Sequence, residues 1–226
     1  MDAKAFGEIF PLFNTATPQT LELLAKIAVE HEYPADRTVL MEDAWGNAVY
    51  FIESGWVKVR RLYKAAPTTL AIIGQGDFFG EMAILDESPR STDVTAMSNV
   101  KLLSISAQQF IQTLFKDPQL HHRMLQLMVK RLRQTNLRLQ RRQQKPPVKL
   151  LNNLINIAQT YGHQTDQGTE IYNIPYQDLA DISDISIDDT ASILGKLQDR
   201  GWLQPHGQTL CIPNLQQLSQ LLAKAE

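Results

Sequence analysis

The sequence predicts an α+β chain: an N-terminal β-roll of jelly-roll-like type, one long helix, and a small C-terminal domain of short helices ending in a hairpin. Three observations predict it. Between about Tyr33 and Ile105, short runs rich in β-branched and aromatic residues alternate with turn residues. From Leu125 to Leu139 the apolar positions fall at spacings of 3, 4, 3 and 4. Beyond Pro146-Pro147 the pattern breaks into three short helical stretches followed by a hairpin-like Gly201–Ile212.

The elements follow in order. Residues 6–30 read as helical, with Ile9, Leu12, Leu21, Leu24 and Ile27 as apolar positions and Thr17-Pro18 as a helix start. Strand-like runs cover residues 38–41, 48–53, 56–62, 68–73, 93–96 and 100–105. Turn signals separate them at Asp43–Gly46, Ser54-Gly55, Ala66-Pro67 and Gly74–Asp77. Many short strands at regular spacing suggest a closed roll or barrel rather than a parallel sheet.

In the long helix Leu125, Met128, Leu132, Thr135 and Leu139 form a two-stranded coiled-coil seam. The chain has no second helix of matching length, so the seam predicts a second copy, a symmetric homodimer through residues 120–139. Pro146-Pro147 is read as ending this helix and marking a boundary. The expected division is residues 1–115, 116–146 and 147–226.

Composition narrows the function classes. Of 226 residues 43% are hydrophobic and 20% charged, ordinary for a globular chain. No apolar run approaches the roughly 18 residues of a membrane span, and Met1–Lys4 does not open a secretory leader. Cys211 is the single cysteine, which excludes an internal disulfide and all-cysteine metal or iron–sulfur sites. The default location is cytoplasmic. No paired carboxylates, triad or metal set stands out, so no catalytic or metal residues are assigned and an enzyme is not expected. Net charge is −2, unevenly spread: residues 123–149 hold nine cations and no acid, whereas residues 151–226 hold three cations and nine acids.

The most informative stretch is Gly74-Gln-Gly-Asp-Phe-Phe-Gly-Glu-Met-Ala-Ile-Leu-Asp-Glu-Ser-Pro-Arg-Ser-Thr-Asp-Val94. It resembles the phosphate-binding cassette of cyclic nucleotide-binding domains, and Tyr33–Val59 resembles the β-roll of the same domains. The resemblance runs through the long helix into a winged helix-turn-helix and covers nearly the whole chain. The family it points to is that of the CRP/FNR (catabolite activator protein) regulators. It implies a cyclic nucleotide ligand, cAMP first, held by Gly80, Glu81, Met82, Ala83, Arg90 and Ser91.

The residue chemistry suits that ligand. Gly80 allows close backbone approach, and the short helix from Met82 can aim N–H groups at a phosphate. Arg90 offers a guanidinium fork to two phosphate oxygens and Ser91 a hydroxyl. Glu81 can accept from a ribose hydroxyl. Taken singly, an Arg or Glu in a turn is more often a solvated charge; the combination at this spacing carries the reading. Gly74-x-Gly76 lacks the third glycine of a dinucleotide loop.

By resemblance, Thr135-Asn136 falls where relatives contact adenine across the dimer; alternatively Thr135 only sets helix register. Asp93 departs from the family's small or hydroxyl residue and would oppose a phosphate if it faced inward. Arg138, Arg141 and Arg142 form an alternative site for a cyclic dinucleotide such as c-di-GMP, or a solvated helix face. The five histidines show no ligand pairing and the N-terminal cysteines of iron–sulfur sensors are absent, so haem and iron–sulfur sensing are not expected.

Residues 174–203 resemble the family's helix-turn-helix, with Leu179, Ala180, Ile185, Ile193, Leu194 and Leu197 as its core and Ser186 as N-cap of the second helix. The candidate DNA-contacting positions are Ser186, Ile187, Asp188, Ser192 and Lys196. Where relatives carry Arg and Glu for base edges, this chain has Ile187, Asp188 and Ser192. The wing, residues 204–209, has no Lys or Arg for phosphates. Two readings follow: a cyclic-nucleotide-responsive homodimeric transcriptional regulator, or a ligand-sensing protein with weak or lost DNA binding that contacts a related transcription factor.

Overall fold

The computed structural model describes residues 2–63 and 66–225. Two helices open the chain, α1 (Ala3–Ile9) and α2 (Pro18–Ile27). Asp2 accepts from the Ala5 N–H and Thr17 from the Thr20 N–H, and Pro18 sits in the first turn of α2, where its missing N–H costs nothing. The single helical region expected over residues 6–30 is therefore corrected. Pro11 interrupts it, residues 11–16 form turns and a bend, and the chain is already a strand, β1 (Val29–Tyr33), by residue 29. Burial drives that turn: Phe6, Phe10 and Phe13 are fully buried and pack edge-on or tilted against one another and against Phe51.

Seven further strands build the roll: β2 (Thr38–Leu40), β3 (Ala48–Ser54), β4 (Val57–Tyr63), β5 (Ala66–Ile73), β6 (Phe78–Phe79), β7 (Asp93–Ala96) and β8 (Val100–Ser106). They form two four-stranded sheets of order β1-β8-β3-β6 and β2-β7-β4-β5. The turn expected at Ala66-Pro67 is corrected: both residues lie within β5, an edge strand, the place in a sheet where proline is tolerated.

Alternation along β3 separates two cores. Val49 and Phe51 face the first, which holds Phe6, Phe10, Phe13 and Phe110 together with Leu120 and Met124 of the long helix. Ile52 faces the second, inside the roll, with Val57, Phe79, Val94, Ala96, Val100 and Leu102. Tyr33, Val39, Leu40, Tyr50, Val59 and Ile73 pack half-buried against that second core.

After β8 come α4 (Ala107–Lys116) and the long α5 (Pro118–Gln140). Asp117, 2% exposed, caps α5 by accepting from the Gln119 and Leu120 N–H groups, and it also accepts from the Thr17 N–H and the Thr20 hydroxyl. The seam residues Leu125, Leu132 and Leu139 are 54%, 61% and 62% exposed in the single chain, leaving an apolar stripe uncovered. α5 stops at Gln140 and a 3₁₀ turn follows, so Pro146-Pro147 does not end it. The two prolines open the next helix, α6 (Pro146–Tyr161), at positions whose N–H groups have no helical partner.

The C-terminal part continues with β9 (His163–Thr165), β10 (Gly168–Tyr172), α7 (Tyr176–Ser183), α8 (Ile187–Asp199), β11 (Gln204–His206), β12 (Thr209–Ile212) and α9 (Leu215–Ala225). Its four strands order as β11-β12-β10-β9. The β9–β10 hairpin and α9 were not among the elements expected from sequence. The chain divides into two compact units, residues 1–62 with 72–136, and residues 63–71 with 137–226. The fold is thus α+β, with a β-roll, a long helix and a winged helix-turn-helix.

Candidate functional site

The site in the first unit is organised by Arg90. Its backbone is pinned by the loop before β3: the Arg90 N–H donates to Ala44 O at 2.8 Å, the Asp43 N–H donates to Arg90 O at 2.8 Å, and Trp45 bridges Pro89. This folds the guanidinium inward, where the residue is 5% exposed. There Nη1 donates to Gly80 O and Nη2 to Ala48 O at 2.7 Å. Among the described residues no carboxylate lies within ion-pair distance of Arg90. Desolvation holds its pKa below the ordinary arginine value, with Tyr50 and Glu81 opposing. Carbonyl dipoles offset only part of what burial costs this cation.

Two glycines make room for it. Gly80 joins β6 to the short helix α3 (Glu81–Leu85) in the left-handed conformation, φ +84°. A Cβ there would lie 2.6 Å from Arg90 Nη1, and one at Gly46 would lie 2.7 Å from Arg90 Cζ. Either methyl would displace the guanidinium, so both positions need glycine for space and Gly80 for backbone conformation as well.

Glu81, 4% exposed, opens α3. Arg131 of α5 holds it: Nη1 donates to Glu81 Oε1 and Nη2 to Asp77 Oδ1, each at 2.5 Å, and Nη2 also reaches Phe78 O at 2.7 Å. The same guanidinium lies 4.3 Å from the centroid of the Phe78 ring. Burial raises the Glu81 carboxyl above its ordinary value, and the Arg131 charge opposes that rise. Of the other positions expected in the cassette, Ala83 is 7% exposed, Met82 60% exposed, and Ser91 exposed.

Asp93 does not face the interior. Its neighbours Val94 and Ala96 belong to the inner core, so alternation puts Asp93 on the outer face, where Oδ1 accepts from the Glu42 N–H at 2.8 Å. Thr135 and Asn136 are exposed, and the Thr135 hydroxyl donates to Arg131 O one turn earlier. In the second unit Arg138 donates to Leu70 O at 2.5 Å and Asp181 O at 3.3 Å, Arg142 pairs with Asp184 at 3.5 Å, and Arg141 is half-buried. Arg131 and Asp77 were not singled out in the sequence. Arg131 is one of five Lys and Arg residues along α5 and nothing local marks it.

Within the second unit α7 and α8 pack through Leu179, Ala180, Ile182, Leu194 and Leu197, with Ile185 and Ile193 half-buried. Asp184 turns the chain between them at φ +51°, and Ser186 caps α8 by accepting from the Asp189 N–H at 3.0 Å. On the outer side Ile187 is 46% exposed, and Ser186, Asp188, Ser192 and Lys196 are all exposed. Asp184 lies 3.6 Å from Lys149 Nζ. Thr69, on β5, donates from its hydroxyl to Asp178 at 2.6 Å and from its N–H to Asp181 at 2.8 Å. No helix among the described residues is long and apolar enough to cross a membrane.

Comparison with known proteins agrees with this architecture. Residues 30–117 match the cyclic nucleotide-binding domain family. The chain is 26% identical over 211 residues to the CRP-like cAMP-activated global transcriptional regulator of Mycobacterium tuberculosis, covering 92% of this chain and 94% of that one. It is 30% identical over 130 residues to the cyclic AMP receptor protein of Thermus thermophilus, 57% of this chain and 60% of that one. Among solved structures, the c-di-GMP-responsive global regulator CLP of Xanthomonas campestris superposes with a TM-score of 0.68 over 88% of this chain and all of that one, at 22% identity, a likeness of fold.

Proposed function

Given a chain that carries a cyclic nucleotide-binding domain and is homologous to CRP-like transcriptional regulators, we propose that it is a cyclic-nucleotide-responsive homodimeric regulator whose ligand is cAMP. The observation that carries the ligand reading is Arg90, a buried cation whose partners among the described residues are carbonyls, with a buried carboxylate, Glu81, nearby. A cyclic phosphate supplies the missing negative charge, and the ribose 2′-hydroxyl supplies a donor for Glu81. Met82, Ala83 and Ser91 complete the cassette, and Thr135-Asn136 of a second copy close it over the base. The exposed Leu125–Leu132–Leu139 stripe supports the homodimer. The working division is a sensing domain over residues 1–115, a dimerisation helix over 116–146 and a DNA-binding domain over 147–226. Engagement of Arg138 and Arg142 within the second unit favours a mononucleotide over c-di-GMP as ligand.

A second reading rests on α8. Its outer face offers Ile187, Asp188, Ser192 and Lys196, with Asp189 alongside, and so brings one cation against two acids. DNA affinity comes largely from cations that release counterions from phosphates. That face favours a sensing protein whose C-terminal domain contacts a related transcription factor. Band-shift assays on genomic fragments at low salt, with and without cAMP, separate the two. The regulator reading expects cAMP-dependent, sequence-specific retardation; absence of retardation at micromolar protein, from a chain that binds cAMP in calorimetry, selects the interaction reading. Light scattering tests the dimer: Leu132→Asp is expected to halve the mass.

A further inference from the structure

Tyr50 is a polar residue of the roll interior near Arg90. Tyr50 lies on β3 two residues after Ala48, so alternation puts both side chains on the same face of the strand, toward the roll interior. Its ring stacks on that of Phe79, centroids 5.5 Å apart and planes 7° apart. The two carbonyls that hold Arg90 are therefore those of Ala48, two residues before Tyr50, and of Gly80, one residue after the ring that Tyr50 stacks on. These contacts place the Tyr50 ring and the Arg90 guanidinium in the same part of the roll. Among the described residues the Tyr50 hydroxyl donates to no protein group, although the side chain is half-buried. His31, whose ring is 5.9 Å from that of Tyr50, gives its polar edge to Ser104 instead, with Nε2 and Oγ 2.8 Å apart. An aromatic side chain wedged in a β-roll needs no hydroxyl for packing, and phenylalanine would fill the same space.

We propose that Tyr50 is a second anion-binding residue of this site, its phenolic O–H donating to a phosphate oxygen of the ligand that Arg90 holds. This rests on the cyclic-phosphate reading of Arg90 and extends it. A guanidinium that gives two of its five N–H donors to carbonyls keeps three, fewer than the lone pairs of a phosphodiester can accept. A neutral phenol adds one without adding charge and without the desolvation cost of a second buried cation. Burial, with Tyr33, holds the Tyr50 phenol above its ordinary pKa, and the Arg90 charge opposes that rise. The Tyr50 ring would line the ligand chamber, with Phe79 holding its orientation.

The test is calorimetric titration of cAMP, cGMP and c-di-GMP into the full chain and two variants. Tyr50→Phe keeps the stack on Phe79 and is expected to weaken the binding of the ligand that the unmodified chain takes by about tenfold, the effect of one hydrogen bond to a charged acceptor. Arg90→Gln is expected to weaken it far more. A Tyr50→Phe affinity within twofold of the unmodified chain, with Arg90→Gln strongly impaired, overturns the role of Tyr50 and leaves the cyclic-phosphate site standing. No binding by the unmodified chain, or no effect of Arg90→Gln, overturns the site itself. Should Tyr50→Phe fail to fold, 3-fluorotyrosine introduced at this position gives a fluorine resonance that must move on saturation with the same nucleotide; an unmoved resonance has the same meaning as an unchanged affinity.

Discussion

Arg90 is a cation 5% exposed, held by carbonyl oxygens, in a space that two glycines keep open. Asp188 and Asp189 are anions in open solvent on the first turn of α8, where the helix dipole and the Ser186 cap stabilise them. The first arrangement is costly for a folded protein and has no packing purpose, since a buried cation without a counter-ion loses its hydration for little return. The second is the inexpensive choice for any helix start. Cost is what separates a site from a surface here. The cost at Arg90 supports the proposed anionic ligand there, whereas the acids of α8 need none.

That contrast can be broken or sharpened experimentally. The largest effect is expected at Arg90: Arg90→Gln removes the charge while keeping hydrogen-bonding capacity, and cAMP affinity in calorimetry should fall on the order of 100-fold. Loss of less than threefold would make Arg90 a structural residue and dissolve the contrast. Gly80→Ala adds a methyl at a positive φ and 2.6 Å from Arg90 Nη1. It should lower unfolding stability in urea by roughly 1–3 kcal/mol and weaken cAMP binding by about tenfold or more.

On the other side, Asp188→Asn combined with Asp189→Asn should raise DNA affinity at low salt by about tenfold, with a smaller gain at high salt, because only screened repulsion is relieved. No gain in fluorescence anisotropy would mean that this face does not approach a duplex. The smallest effect is at Glu81. Its raised pKa means that the native state keeps the proton where the unfolded chain has lost it, so stability falls as pH rises from about 4.5 through the folded value. Glu81→Gln should flatten that fall in urea titrations between pH 4 and 7. It should also weaken cAMP binding about fivefold, since a neutral amide accepts less strongly from the ribose hydroxyl.

How far the sequence could be read depended on the range of the interactions. Six strands of the roll were legible because alternation and turn residues act over two to four positions, whereas β1 was read as helix and the two-residue β6 is too short to show a pattern. The long helix was legible for the same reason, since its seam repeats locally. The two prolines were misplaced because proline both ends and begins helices, and only the stop at Gln140 shows which it did. The region 6–30 misled because its phenylalanines follow a core that Phe51 and Phe110 complete from distant positions.

By itself the sequence determined the α+β architecture and the order of roll, long helix and helix-turn-helix, and it pointed to Gly80, Glu81 and Arg90, because each reading depends on short-range pattern or on residue type. The charge imbalance was equally plain in it, since charges add without regard to place. Tertiary structure alone decided where those residues sit. Among the described residues it buried Arg90 with no carboxylate in ion-pair distance, turned Asp93 outward, set Arg131 across Asp77 and Glu81 fifty residues away, and left the Tyr50 hydroxyl with no protein acceptor. These are matters of dielectric and of distance between positions remote in the chain, and pattern along a sequence carries neither.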